Sequence, residues 1–420
     1  MRSIVKNQYS KRVVYASFLA SSFCCVAGAN AAAWEFDPRI VVSGVYNDNY
    51  LLATVPADKI SVSGTQADAG VQIRAESPTW DIVIWPYVTG SYYPGHTDLN
   101  EDLEFLDLRL DHLGERVKYA IDGNYSQRTL LDEILPNTGV NYDLGEPPSG
   151  TSPGALEQRD RQDLALLRPT MQIALSPRSQ LDLRVDYSEA TYDHQIPGSY
   201  VNYNDEYGSA GWSYELSPRG TLTFSGSASR YSSNAGGDDD TYGLQVQWYK
   251  LYTQTTKYYI RVGVNRTEFQ GSALSQPTST SADTISAGAG VSWAFQITTV
   301  FLDLTRWVNP SPTGVAVDQN QLRLRFERRW TPRMATFVGV VAVKQDPLGS
   351  ASETFAASYV SGTVGFEWRY TRAFALVGSY SYALQKLGDQ SGSGDANTLK
   401  VSVVYQPFRP ADSPAISVPY

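Results

Sequence analysis

Over most of this chain, apolar and polar side chains alternate one by one. Leu322, Leu324 and Phe326 alternate with Arg323, Arg325, Glu327 and Arg329. Leu181, Leu183, Val185 and Tyr187 alternate with Asp182, Arg184, Asp186 and Ser188. The same holds for Leu106, Leu108 and Leu110 against Asp107, Arg109 and Asp111, and for Tyr258, Ile260 and Val262 against Tyr259 and Arg261. A period of two puts each set on its own face of a β-strand.

This period predicts strands over Arg39–Asn47, Ala69–Glu76, Trp80–Ser91, Leu103–His112, Arg116–Gln127, Asp163–Leu175, Gln180–Glu189, Glu206–Leu216 and Thr221–Arg230. It continues over Thr241–Tyr249, Lys257–Phe269, Thr284–Phe295, Val300–Trp307, Gln319–Trp330, Met334–Lys344, Phe355–Tyr370, Phe374–Leu384 and Asn397–Phe408. The expected count is about 18, within 16–20, and an even number returns both ends to one side.

The connections alternate as well. Tight turns at Ser77-Pro78, Ser176-Pro177-Arg178, Ser217-Pro218-Arg219, Thr331-Pro332-Arg333 and Thr371-Arg372 take turns with longer polar stretches such as Asn234 to Asp240. A meander that crosses a slab reverses alternately on its two sides. Short turns on one side and long loops on the other predict an all-β fold, a transmembrane antiparallel up-and-down β-barrel in an outer membrane. The longest loop, 128–162, contains Pro136, Pro147, Pro148 and Pro153 and falls on the long-loop side, which is extracellular in such barrels. It is expected either to fold inward as a constriction or to stay outside.

The polar faces decide which side meets lipid. An Arg or Lys at the bilayer midplane costs ~2–4 kcal/mol, so several on one strand must face a wet interior. The expected lumen-lining residues are Arg74, Asp107, Arg109, Asp122, Asp182, Arg184, Asp186, Tyr259, Arg261, Arg323, Arg325, Glu327, Arg329, Glu367 and Arg369. Two roles stay open for them: opposite charges paired between neighbouring strands, and a ladder of reversible contacts for hydroxylated ligands. Trp80, Trp212, Trp248, Trp293, Trp330 and Trp368 lie near short-turn strand ends, where an aromatic girdle should sit. Trp307, at a long-loop end, is expected in the opposite girdle.

Composition adds bounds. The 28 Tyr and 9 Trp against 14 Phe suit a membrane–water boundary better than a dry core. Residues 1–33 have a basic start and an apolar run to Gly28, and read as a signal peptide cleaved near residue 31. Cys24 and Cys25 both lie inside it, so no disulfide is expected in the mature chain, and Phe23 before Cys24 argues against lipidation. After Gly28 no apolar run reaches the ~20 residues of a membrane helix. The net charge of −9 and the lack of a basic cluster exclude nucleic acid as a partner.

Catalytic patterns are missing. His96, His112 and His194 share no motif, and there is no G-x-S-x-G, zinc spacing or phosphate loop. Asp238-Asp239-Asp240 reads as a solvated loop without calcium-loop spacing. No enzyme activity, cofactor or metal is expected.

Trp34-Glu35-Phe36-Asp37-Pro38-Arg39-Ile40, followed by Tyr46-Asn47-Asp48-Asn49-Tyr50, resembles the start of the β-barrel porin 2 group. The closing Val401–Pro410 stretch resembles that group's last strand. The resemblance implies a barrel over 34–408 that secretes a hydrophilic polymer, an exopolysaccharide, together with a periplasmic polysaccharide-export protein. The alternatives are a general or sugar-selective porin, and a surface barrel that anchors polysaccharide. Outer-membrane lipid and the barrel assembly machinery are the other implied partners. Residues 409–420 form an expected periplasmic tail. It departs from outer-membrane chains that end on an aromatic residue of the last strand.

Overall fold

The computed structural model describes residues 33–129, 161–193, 201–234, 237–270, 281–309, 311, 316–348, 357–388 and 392–408. The alternating stretches form eighteen strands among these residues. They are β1 (Ala33–Asn47), β2 (Val62–Glu76), β3 (Trp80–Tyr92), β4 (Glu101–Leu113), β5 (Val117–Thr129), β6 (Arg161–Ser176), β7 (Ser179–Tyr192), β8 (Tyr203–Ser217) and β9 (Gly220–Ser233). They continue as β10 (Gly237–Leu251), β11 (Thr256–Gln270), β12 (Ser281–Ala294), β13 (Thr298–Asn309), β14 (Val317–Thr331), β15 (Met334–Pro347), β16 (Ala357–Arg369), β17 (Phe374–Leu387) and β18 (Gly394–Tyr405).

Each strand pairs antiparallel with the next, and β18 pairs with β1 from Ile40–Tyr405 to Asn47–Thr398. The sheet is therefore a closed barrel with no free edge. Strands run from 12 to 16 residues. A bilayer core needs about 9–11, so several residues per strand project beyond it.

The tight turns owe their shape to their first residue. The Ser176, Ser217 and Thr331 hydroxyls accept the backbone N–H two residues on, at 3.3, 3.4 and 3.2 Å. Proline fixes the residue between them near φ −65°.

Some expectations are corrected. β1 begins at Ala33, so Trp34–Pro38 are strand and not a lead-in. Asp238–Asp240 is not a loop but the start of β10. Its carboxylates are held on the neighbouring strands: Asp238 accepts from Arg230 at 2.8 Å and Ser232 at 2.5 Å, and Asp240 from Gln270 at 2.6 Å. Residues 1–32, expected as a leader, residues 130–160, His194 and residues 409–420, expected as a tail, lie outside the described residues.

Side chains that meet across a ring must point into it. Ala190 and Tyr192 of β7 pack in one cluster with Tyr359 of β16, half a ring away. The strand register carries this parity to every strand. Trp307 thereby falls on the inner wall, 8% exposed, with the Arg261 guanidinium 5.7 Å from its ring centroid. It is not part of an outer girdle. Its sequence neighbours Arg306 and Val308 take the outward positions, because β13 keeps strict alternation through its pairing with β14.

Candidate functional site

The inner wall is polar over most of its circumference, and of two kinds there, while β15 turns Phe337, Val341 and Val343 inward and Val41, Ala375, Val377 and Val404 form an apolar cluster across β17, β18 and β1. Across β8 to β12 it is built mainly of small hydroxyls, glycine and amides: Ser209, Thr223, Ser225, Ser227, Gln245 and Ser286 face inward. Flanking this sector are two charged ones. On β6–β7, Asp186 accepts from Arg168 at 3.1 Å and from Arg184 at 2.5 Å. On β13–β14, Asp303 accepts from the Tyr259 hydroxyl at 2.5 Å and from Arg323 at 2.6 Å.

All fifteen residues expected to line the lumen take inward positions by register. The mode of pairing differs from a purely cross-strand one. Arg109–Asp111, Arg184–Asp186, Arg325–Glu327, Arg329–Glu327 and Arg369–Glu367 are ion pairs along a single strand, two residues apart. Residues at i and i+2 share a face, and the long arginine arm spans the gap. Cross-strand pairs occur beside them: Arg74–Asp81 at 2.9 Å and Arg323–Asp303 at 2.6 Å. Asp122 stands between Arg109 and Arg168 in the register, and Asp107 and Asp182 accept from Asn124 and Ser213, both at 2.5 Å. Both signs thus alternate closely along the wall, which makes it hydrophilic without one dominant sign.

Glycine lets the longest of these contacts form. Gly288 of β12 faces inward, and a Cβ there would stand 3.2 Å from the Tyr259 ring and 3.3 Å from the Arg261 guanidinium. Both side chains lie across β12 to reach β13. Asp303, 0% exposed, is the anchor of this group. Asp303→Asn keeps the volume and loses the charge. It is expected to cost about 1–2 kcal/mol, read as a lower urea midpoint of the detergent-held barrel.

The outer face is different in kind. Leu244, midway along β10, is 68% exposed, and Val262, Val264, Ile285, Leu304 and Val364 are exposed on their strands. A contiguous apolar surface of this extent suits lipid and not water. At the short-turn rim the six tryptophans point outward with aromatic company. Trp80 contacts His112 and Tyr119 at 4.3 and 5.4 Å, Trp212 contacts Phe224 at 6.1 Å, and Trp248 meets Tyr258 edge-on at 5.6 Å. Trp330 donates to Thr336 at 3.0 Å, and Trp368 leads through Tyr370 and Phe374 to Tyr405. Trp293 takes the matching outward position on β12. His112 is packed against Trp80 and Tyr119 on the outer face. Among the described residues no three His, Cys, Asp or Glu side chains gather as a metal site.

The mouth at the long-loop end is where the barrel narrows. Residues 48–61, between β1 and β2, fold inward as a tongue. Leu52 is 4% exposed and lies in one buried cluster with Leu164, Ala190, Tyr192, Tyr203 and Tyr231 of one wall and Tyr359 and Ala396 of the other. Leu52 has φ 51°, a left-handed conformation. That costs a leucine roughly 1–2 kcal/mol, against about 1.5–3 kcal/mol gained by burying its side chain.

The Tyr46–Tyr50 motif turns out to be the tongue's clamp. The Asn49 amide donates to the Ala53 and Asp395 carbonyls at 3.0 and 2.8 Å, and its oxygen accepts from Ala53 N at 3.0 Å. Asp48 accepts twice from Asn397, both at 2.7 Å, and Lys59 pairs with Asp395 at 2.7 Å. Gly394 must be glycine, because any Cβ there would overlap the Leu52 carbonyl.

Two further connections lean inward. Tyr50, Ile60, Val62, Tyr93 and Leu99 join the tongue to the β3–β4 loop. Between β13 and β14, the Ser311 carbonyl accepts from the Tyr231 hydroxyl at 2.8 Å, and Ala316 N donates to Asp239 at 3.3 Å. Asn49→Ala removes the three bonds that the Asn49 side chain makes to the clamp. It is expected to loosen the tongue by about 1–3 kcal/mol, seen as a larger open fraction in single-channel records.

Sequence reading did not find the tongue or the tyrosines around it. Leu52 lies in a stretch without alternation, and the contacts form only when half the ring is in place. It also left out the inward aromatics Trp85, Tyr87 and Phe105, although the outward parity of Trp80, Ile82 and Ile84 was a usable signal.

No protein-family model matches the chain, and no curated protein matches it in sequence. Solved structures similar to it include Pseudomonas aeruginosa OccK2 in complex with glucuronate, at 10% identity and TM-score 0.45, covering 89% of this chain and 98% of that one. Acinetobacter baumannii OccAB4 is similar at 10% identity and TM-score 0.45, covering 90% and 99%. Pseudomonas aeruginosa OprD is similar at 9% identity and TM-score 0.43, covering 89% and 95%. At this level the closed barrel is established by its own strand pairing, and nothing about solute passes from those proteins to this one.

Proposed function

We propose that the chain is a porin-type channel of a Gram-negative outer membrane that admits small hydrophilic solutes. The carrying observation is the closed eighteen-strand ring, apolar and girdled outside and largely polar inside. Rings of one charge sign select ions. A wall of closely paired opposite charges and hydroxyls suits neutral or zwitterionic solutes instead. In this reading the short turns and both termini face the periplasm, and the assembly machinery inserts the barrel.

The mouth favours a small solute over a polymer. An exopolysaccharide in transit needs a continuous opening, and here side chains of opposite walls and the tongue pack together. Polymer export with a periplasmic partner would require the tongue to leave the mouth for the whole passage.

The test is reconstitution. Purified protein in liposomes should admit mono- and disaccharides and amino acids in a swelling assay and exclude long dextrans. Liposomes that behave like protein-free ones, with the barrel folded, would reject the channel reading. Passage of long dextran would restore the polymer one.

A further inference from the structure

We propose that the lumen holds a binding site for pyranose rings on the inner wall of β3 and β4. The site deepens the channel reading and rests on it, since it lies on the path that reading assigns to the solute.

Trp85 and Tyr87 of β3 and Phe105 of β4 all point inward. Their rings are in contact: Trp85 to Tyr87 at 5.1 Å between centroids, and Tyr87 to Phe105 at 4.5 Å with planes only 2° apart. Beneath them lies Gly70 of β2. A Cβ there would stand 2.6 Å from Tyr87 Cβ and 3.2 Å from Trp85 Nε1. The indole therefore leans along the wall over the glycine. Covering a glycine with a cross-strand ring stabilises a sheet. Tyr87 is buried in the stack, whereas Trp85 and Phe105 stay partly exposed.

Polar groups bound this strip at both ends. On one side Asp107, opposite Trp85 in the register, accepts from Asn124 at 2.5 Å. On the other, Asp68, opposite Thr89, accepts from Thr89 at 2.7 Å and Gln66 at 3.1 Å. Leaving aromatic faces in a wet lumen is unfavourable unless something apolar and flat covers them. A pyranose has such a face, made of C–H groups, with hydroxyls around its edge. Stacked on Trp85, it would place those hydroxyls against the carboxylates and their amide and hydroxyl partners. An alkyl chain would make no use of the carboxylates, and a simple anion would be repelled by them. The contacts are few and one-sided, as transit demands: a site strong enough to enter and weak enough to leave.

The experiment uses the full chain and the same chain with its tongue replaced by a short turn, both in planar bilayers. The probe is maltohexaose, with polyethylene glycol of matching size as control. Maltohexaose should interrupt the current at concentrations where the glycol does not. Trp85→Leu still covers Gly70 but has no ring face, and should weaken the block several-fold, up to about tenfold. Trp85→Phe should restore most of it. Heat-modifiable mobility shows that each variant is folded.

Maltohexaose acting no better than the glycol, or blocking Trp85→Leu as strongly as the parent, overturns the site. Calorimetric titration of the detergent-held protein separates the two ideas. Conductance without sugar binding rejects the site alone. Binding that Trp85→Leu weakens, in a barrel that never conducts even without its tongue, supports the site and rejects the channel.

Discussion

Replacing residues 50–60 with a short Gly/Ser turn will raise single-channel conductance severalfold. The tongue is held by a small balance of opposing terms. Burial of the Leu52 side chain contributes about 1.5–3 kcal/mol, and its left-handed backbone takes back roughly 1–2 kcal/mol. The bonds of Asn49 to Ala53 and Asp395 add about 0.5–1.5 kcal/mol each. A tongue docked by about 3 kcal/mol is open on the order of 1% of the time. The intact protein should therefore show long closed intervals with brief openings, the Asn49→Ala variant more frequent ones, and the tongue-replaced chain a steady open level. The strand pairing does not depend on the tongue, because Asn47 and Val62 already pair as the last rung between β1 and β2. A tongue-replaced barrel that conducts no better than the parent would show that the mouth is not the narrowest point.

Leu244→Arg and Gln245→Arg, one residue apart, should have opposite consequences. Leu244 points outward at mid-strand and Gln245 inward, opposite Gly263 and Ser225. An arginine on the lipid face at the midplane costs ~2–4 kcal/mol. Arginine at 245 adds a cation to the hydroxyl and amide wall, where water reaches it. The first variant should unfold from lipid at clearly lower urea concentration, with its conductance unchanged while folded. The second should keep its urea midpoint and lose conductance to cations. Equal destabilisation of both would mean that the face assignment, and with it the membrane reading, is wrong.

Much of this barrel is legible residue by residue. Arg323, Arg325, Glu327 and Arg329 cannot share a face with lipid, so strand alternation alone sends them inward. The six short-turn tryptophans follow from the same parity together with their position at strand ends. For Trp307 the two signals conflict: its place near a strand end points to a girdle, and its parity puts it with Asp303 and Thr305 on the inner wall. The carboxylates of Asp238–Asp240 looked solvated because three adjacent acids suggest a loop, whereas the flanking strands supply Arg230, Ser232 and Gln270 to hold them.

By itself the chain determined the strands, their parity, the gathering of the short turns at one end and the inward direction of the charged side chains. These depend on period-two patterning and on turn chemistry, both local in sequence. The tertiary structure alone decided that the ring closes β18 onto β1, that the tongue crosses the mouth, and that Trp85 lies over Gly70. Each of these joins groups that only ring closure or strand register brings together, and loop insertion has no periodic signature. Leu52 shares a buried cluster with Tyr359 and Tyr203 through the geometry of the whole barrel, so no window of sequence contains that cluster.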